Sequence, residues 1–152
     1  MKLSGILLIS IVVTVASAAF VQLPKGPFDP NRSAAKDISD GIAQAAKHHQ
    51  RVLLDVGGNW CGWCLKLDHL FHTDPEVSAL LLKKYVVVKV NYSPEQENTA
   101  VLSRYPKVEG YPHLFVLDDK GKLLHSEDTS LLESGDHHDP GKVMAFLRQW
   151  AH

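Results

Sequence analysis

The chain has 152 residues and 45% hydrophobic content, which is enough for one domain with a sizeable core and too little for two, on a prior of about 100 to 200 residues per domain. Sixteen Lys and Arg against 17 Asp and Glu leave a formal net charge of −1, so no long-range field recruits nucleic acid or an anionic membrane. In chain order, Lys2 supplies a positive start, Ile6 to Val15 an apolar stretch, and Ala16-Ser17-Ala18 a small-x-small cleavage site. Residues 1–18 are therefore expected to be a cleavable signal peptide, and the protein to be periplasmic or secreted. The apolar stretch falls short of the roughly 20 residues a bilayer span needs, which makes a retained anchor the weaker alternative. Residues 19–35, with Pro24, Pro27 and Pro30, read as an extended lead-in, and 36–152 as the domain.

From Ser33 the pattern turns helical, with Ile38, Ile42, Ala45, Ala46 and His49 on one face. Val52 to Val56 is an aliphatic, β-branched strand, and Leu65, Leu67, Leu70 and Phe71 suit a helix packed on a sheet. Thr73 or Asp74 caps a fresh helix through Val77, Leu80, Leu81 and Tyr85. Val86 to Asn91 is a second buried strand, followed by a helix from Pro94 to about Arg104. The strand, helix, strand order requires a parallel pair with a right-handed crossover. Leu114 to Leu117 forms a third strand, and Asp118-Asp119-Lys120-Gly121 turns it into an antiparallel partner over Lys122 to His125. Residues 126–140 read as a polar loop, and Val143, Phe146, Leu147 and Trp150 as a closing amphipathic helix. The fold class is α/β, a central mixed sheet of about four strands flanked by helices.

The two cysteines of the chain, Cys61 and Cys64, stand as C-x-x-C within Trp60-Cys61-Gly62-Trp63-Cys64, where the first strand gives way to a helix. At a helix N-terminus the free N–H groups and the positive end of the dipole favour a thiolate, so Cys61 is the expected nucleophile and Cys64 the resolving thiol. A purely structural cross-link accounts poorly for the pair, because a four-residue loop restrains little of the unfolded chain. Asp55 is a carboxylate on an apolar strand, where desolvation raises its pKa and suits it to take a proton from Cys64. The alternative is an aspartate at the strand edge, facing water. Trp60 and Trp63 flank the cysteines as an apolar docking rim, with Trp63 the one expected to face solvent. Nine histidines invite a metal reading, but neighbours such as His48-His49 diverge on a helix, and His137-His138 lack a clear third ligand. No metal site is expected.

Together, the order of elements, the C-x-x-C at the first strand-to-helix junction and Gly110-Tyr111-Pro112 before the third strand resemble the thioredoxin superfamily. The phrase from Cys64 to Thr73-Asp74-Pro75-Glu76-Val77 is most similar to exported bacterial thioredoxin-like proteins and to the terminal domain of membrane thiol-disulfide reductases. That resemblance implies a three-layer fold and a catalytic set of Cys61, Cys64 and Asp55, with Lys89 near that aspartate. It also implies a cis Tyr111-Pro112 bond, and a substrate-binding rim of Trp60, Gly62, Trp63, Tyr111 and Pro112 around a redox-active Cys61–Cys64 disulfide. The chain departs from the pattern at Trp63, where the motif usually has Pro, at His69, where a helix-kinking proline is absent, and in the long 126–140 segment.

These observations point to a monomeric thiol-disulfide oxidoreductase that reduces protein disulfides. No nicotinamide or flavin motif appears, so no cofactor is expected, and electrons would come from a membrane thiol-disulfide reductase. A disulfide oxidase or isomerase is the nearest alternative. A chaperone holding copper(I) between the two thiolates is a further one.

Overall fold

The computed structural model describes residues 26–151. Helix α1 (Ala34–His48) starts at Ser33, whose side chain accepts from the Lys36 N–H, and ends at His49 in the left-handed region. Its buried face is Ala34, Ile38, Gly41 and Ala45. Ala46, about 100° round the helix from buried Ala45, and His49, in the left-handed cap, are exposed instead. Helix α1 also begins inside what the sequence marks as lead-in.

Strand β1 (Arg51–Gly57) is buried along nearly its whole length. Helices α2 (Gly62–Thr73) and α3 (Pro75–Lys84) meet at Asp74, whose carboxylate accepts from the N–H groups of Glu76 and Val77 at 3.0 and 2.9 Å. Strand β2 (Tyr85–Asn91) runs parallel to β1, with Asp55 opposite Lys89 in the register.

The helix expected from Pro94 to Arg104 shrinks to α4 (Thr99–Leu102). Ser93 and Gln96 exchange backbone hydrogen bonds of 3.1 and 3.0 Å, and Asn98 sits at φ 50°, so a turn takes the place of the first helical residues. Strands β3 (His113–Leu117) and β4 (Leu123–Asp128) follow, giving the order β2-β1-β3-β4 with β3 antiparallel to both neighbours. The segment read as a polar loop instead holds a 3₁₀ turn at Thr129–Leu132 and a small hairpin of β5 (Glu133–Ser134) and β6 (His137–His138). Its polar composition conceals buried residues, Thr129, Leu132 and His138 among them. Helix α5 (Pro140–Trp150) closes the chain, capped by Asp139.

Because side chains alternate along a strand, β1 feeds two cores. Val52, Leu54 and Val56 pack with Ala34, Ile38, Val86 and Val88 on the α1 side. Leu53 packs with Leu67, Phe71, Val77, Leu114 and Leu147 on the side of α2, α3 and α5. Gly41 lets α1 lie close on the sheet, since a Cβ there would sit 2.6 Å from Val88 Cγ2. Three layers result, and Asp55 falls by the same alternation on the α2 face.

Candidate active site

Gly57 ends β1 and Cys61 begins α2, so the dithiol sits at the C-terminal edge of the sheet. Cys61 and Cys64 are joined as a disulfide. Cys61 is the N-cap, its Sγ accepting from the Cys64 N–H at 3.1 Å, and it is 6% exposed, whereas Cys64 is 0% exposed. Both cysteines are therefore buried, with Cys61 the nearer of the two to solvent. Gly62 stands in open space beside them. Gly57 is required underneath, because a Cβ there would lie 2.6 Å from Cys64 Sγ.

Asp55 is fully buried, which excludes a solvent-facing carboxylate at this position. Its Oδ2 accepts from Lys89 Nζ at 2.6 Å, and its Oδ1 has no hydrogen-bond partner among the described residues. Burial raises the Asp55 pKa, and the nearby Lys89 only partly offsets it. For Lys89, burial works against the ammonium, but Asp55 and Asp68 outweigh it and raise the pKa, so the lysine stays charged. Lys89 Nζ also lies 2.6 Å from Asp68 Oδ1. A cation thus bridges two carboxylates.

The Tyr111–Pro112 peptide bond is cis, and the Tyr111 carbonyl oxygen lies 3.6 Å from Cys61 Sγ. Tyr111 stacks on Tyr92 with ring centroids 4.7 Å apart, and Trp60 meets Tyr111 edge-on at 5.8 Å. Burial, then the neighbouring Tyr92, pushes the Tyr111 phenol up to about 12. Trp60 is the exposed tryptophan at 57%, its indole N–H donating to the Tyr92 carbonyl at 2.6 Å. Trp63 is only half-exposed, the reverse of the sequence reading, because the imidazole of His138 covers one edge at 5.3 Å. Trp60, Tyr111 and Tyr92 therefore form one aromatic cluster near Cys61.

Besides Tyr92, four residues around the cysteines escaped the sequence reading. Asp68 carried a usable signal, since it lies one helical turn after Cys64 and so shares its face. His138 is buried, with Nε2 3.3 Å from the Trp63 carbonyl and Nδ1 unpartnered among the described residues. Burial lowers its pKa and keeps the imidazole neutral. Phe28, inside the proline-rich lead-in, is fully buried against Cys61 and Cys64, and Asn59 holds it by two hydrogen bonds. Nothing in local pattern marks Phe28 or Asn59. Among the described residues no cluster of His, Cys, Asp and Glu is arranged to hold a metal ion.

The sequence profile of a family described as thioredoxin-like matches residues 33–119, more than half of the chain. The chain belongs to the thioredoxin-like family. A curated relative, "Disulfide bond reductase DsbH" of Chlamydia pneumoniae, is 26% identical over 98 residues, covering 59% of this chain. The match spans 58% of that relative's length. Among solved structures, a disulphide isomerase from Xylella fastidiosa superposes with a TM-score of 0.72 at 24% identity, covering 81% of this chain and 95% of that one. The C-terminal domain of DsbD from Neisseria meningitidis gives 0.54 at 22%, covering 76% and 96%. At these identities the structural likenesses speak for the fold.

Proposed function

We propose that the chain is an exported thiol-disulfide oxidoreductase that reduces protein disulfides. One observation carries the reading: Cys61 at a helix N-terminus and slightly exposed, a fully buried Cys64 behind it and a buried carboxyl, Asp55, on the strand beneath. The Cys61 thiolate attacks one sulfur of a substrate disulfide, that bond breaks, and the other substrate sulfur leaves and takes a proton. In the resulting mixed disulfide, Cys64 gives its proton to Asp55 and attacks Cys61 Sγ. The second substrate sulfur departs as a thiolate and takes a proton from solvent, Asp55 gives up the proton it received, the Cys61–Cys64 bond closes, and two electrons have passed to the substrate.

Trp60, Gly62, Trp63, Tyr111 and Pro112 form the proposed docking rim, where the peptide edge of Tyr111 presents hydrogen-bonding groups to an extended segment. Each turnover leaves the protein oxidised, so a two-electron donor is needed, and a membrane thiol-disulfide reductase is the proposed one. Export rests on residues 1–18, which lie outside the described residues. Among the described residues no helix is long and apolar enough to cross a membrane.

Trapping separates the two cysteine roles. Cys64→Ser should hold substrates as stable mixed disulfides through Cys61, and Cys61→Ser should trap none and lose all reduction. The opposite pattern, read on non-reducing gels, would reverse the assignment.

A further inference from the structure

The proposed reaction leaves a fully buried aromatic ring of the lead-in unexplained. Phe28 precedes residue 33, where the family match begins, yet it has the same burial as Cys64 and packs against both cysteines. Its position is held by a reciprocal pair of hydrogen bonds. The Phe28 N–H donates to Asn59 Oδ1 at 3.1 Å, and Asn59 Nδ2 donates to the Phe28 carbonyl at 2.6 Å. Asn59 immediately precedes Trp60-Cys61, so the clamp joins the lead-in to the active-site loop.

The ring reaches the chamber beneath the dithiol from two directions. A Cβ on Gly57 would meet Phe28 Cζ at 3.1 Å and Cys64 Sγ at 2.6 Å, so ring and sulfur close on the same point of β1. Lys89 Nζ lies 5.1 Å from the Phe28 ring centroid while it binds Asp55 at 2.6 Å. Phe28 thus packs beside Cys64, which must lose a proton, and beside the cation that pairs with the carboxyl receiving it.

We propose that Phe28, clamped by Asn59, is a positioning residue for the resolving step: a lid that keeps water from Cys64 and Asp55. This inference rests on the reading of Asp55 as the proton acceptor of Cys64. An acceptor works best when its pKa lies near the working pH, and burial is the largest cause of the upward shift at Asp55. The charged and titratable groups facing Asp55 are Lys89 of β2, Asp68 of α2 and His138 of β6. Truncating Phe28 changes none of these charges, so its effect comes through water access and through the lost ring near Lys89. Losing the ring over Lys89 also leaves the ammonium to favour the ionised carboxylate, which acts in the same direction.

The test measures Asp55 itself. In the reduced protein, NMR titration of the Asp55 carboxyl carbon should show the midpoint of Phe28→Ala falling by about one pH unit. Phe28→Leu should return most of that shift, and Asn59→Ala should give a smaller shift of the same sign. The pH profile of mixed-disulfide resolution in stopped flow should move with the carboxyl. A fall in Tm with an unmoved Asp55 midpoint would mean that Phe28 only fills space, and would overturn the proposal. Should Phe28→Ala not fold, an unmoved midpoint in both Phe28→Leu and Asn59→Ala overturns it equally. Asp55→Asn distinguishes the parent reading: an unchanged resolution profile there removes Asp55 as acceptor, while the carboxyl titration still decides what Phe28 does.

Discussion

Replacing Asp55 by Asn probes the energetics of the chamber directly. The carboxyl is fully buried, with one oxygen 2.6 Å from Lys89 and the other unpartnered among the described residues. Its pKa is raised, chiefly by burial. An acid with a raised folded-state pKa holds its proton more tightly in the folded protein. Its contribution to stability is complete below the unfolded-state pKa and is lost as pH rises through the folded-state one. Each unit of elevation costs about 1.4 kcal/mol once the group has ionised. Asn fills nearly the same volume and stays neutral, so it carries none of that loss.

Lys89 opposes the gain, because removing one partner of a buried pair can strand the other and cost about 3 to 5 kcal/mol. Here Asp68 keeps a carboxylate 2.6 Å from Lys89 Nζ, and the lysine side chain is 21% exposed, so its charge is not stranded. Desolvation therefore wins, and Asp55→Asn should stabilise the oxidised protein by about 1 to 3 kcal/mol at pH 8. A chain of this size gains about 3 to 5 °C in Tm for each kcal/mol. Urea unfolding of both proteins from pH 4 to pH 9 is the assay. Groups that titrate alike in the two proteins cancel in the difference, which should vanish near pH 4 and grow as pH rises. A variant less stable at pH 8, or a difference independent of pH, would refute the reasoning: the first would show Lys89 to depend on Asp55 alone, the second that the carboxyl is not raised.

Two further predictions concern the same chamber. Gly57→Ala places a Cβ 2.6 Å from Cys64 Sγ and 3.1 Å from Phe28 Cζ. Overpacking of this kind should cost about 1 to 3 kcal/mol, and an unchanged calorimetric Tm would contradict the packing described. The reduction potential should lie nearer about −270 mV than the roughly −120 mV of a strong oxidant, because only Gly62 and Trp63 separate the cysteines and neither adds a charge to stabilise a thiolate. Equilibration with glutathione buffers measures it, and a value above about −150 mV would favour disulfide donation over reduction.

Much of this site could be read from the chain alone. The aliphatic run over Val52–Val56 and the helical spacing after it placed Cys61 at a strand-to-helix junction and Asp55 on the apolar strand before it. These are local properties, set by periodicities of two and 3.6 residues. The helix expected after Pro94 failed for a local reason as well, a Ser93–Gln96 turn that competes with helical hydrogen bonding.

The remaining features depend on contacts between distant parts of the chain, which no local pattern encodes. Lys89 meets Asp55 because β2 pairs with β1 in one particular register, and Asp68 reaches the same ammonium only once α2 lies on the sheet. The polar segment 126–140 forms a hairpin that lays His138 over Trp63, and this decides which tryptophan faces solvent. Phe28 is an unremarkable apolar residue among prolines until Asn59, 31 positions later, fixes its backbone beside the dithiol. Sequence thus determined where the cysteine pair stands and the helix terminus it occupies. Tertiary packing decided their burial and charge partners, because desolvation and ion pairing depend on what the rest of the chain brings within a few ångströms.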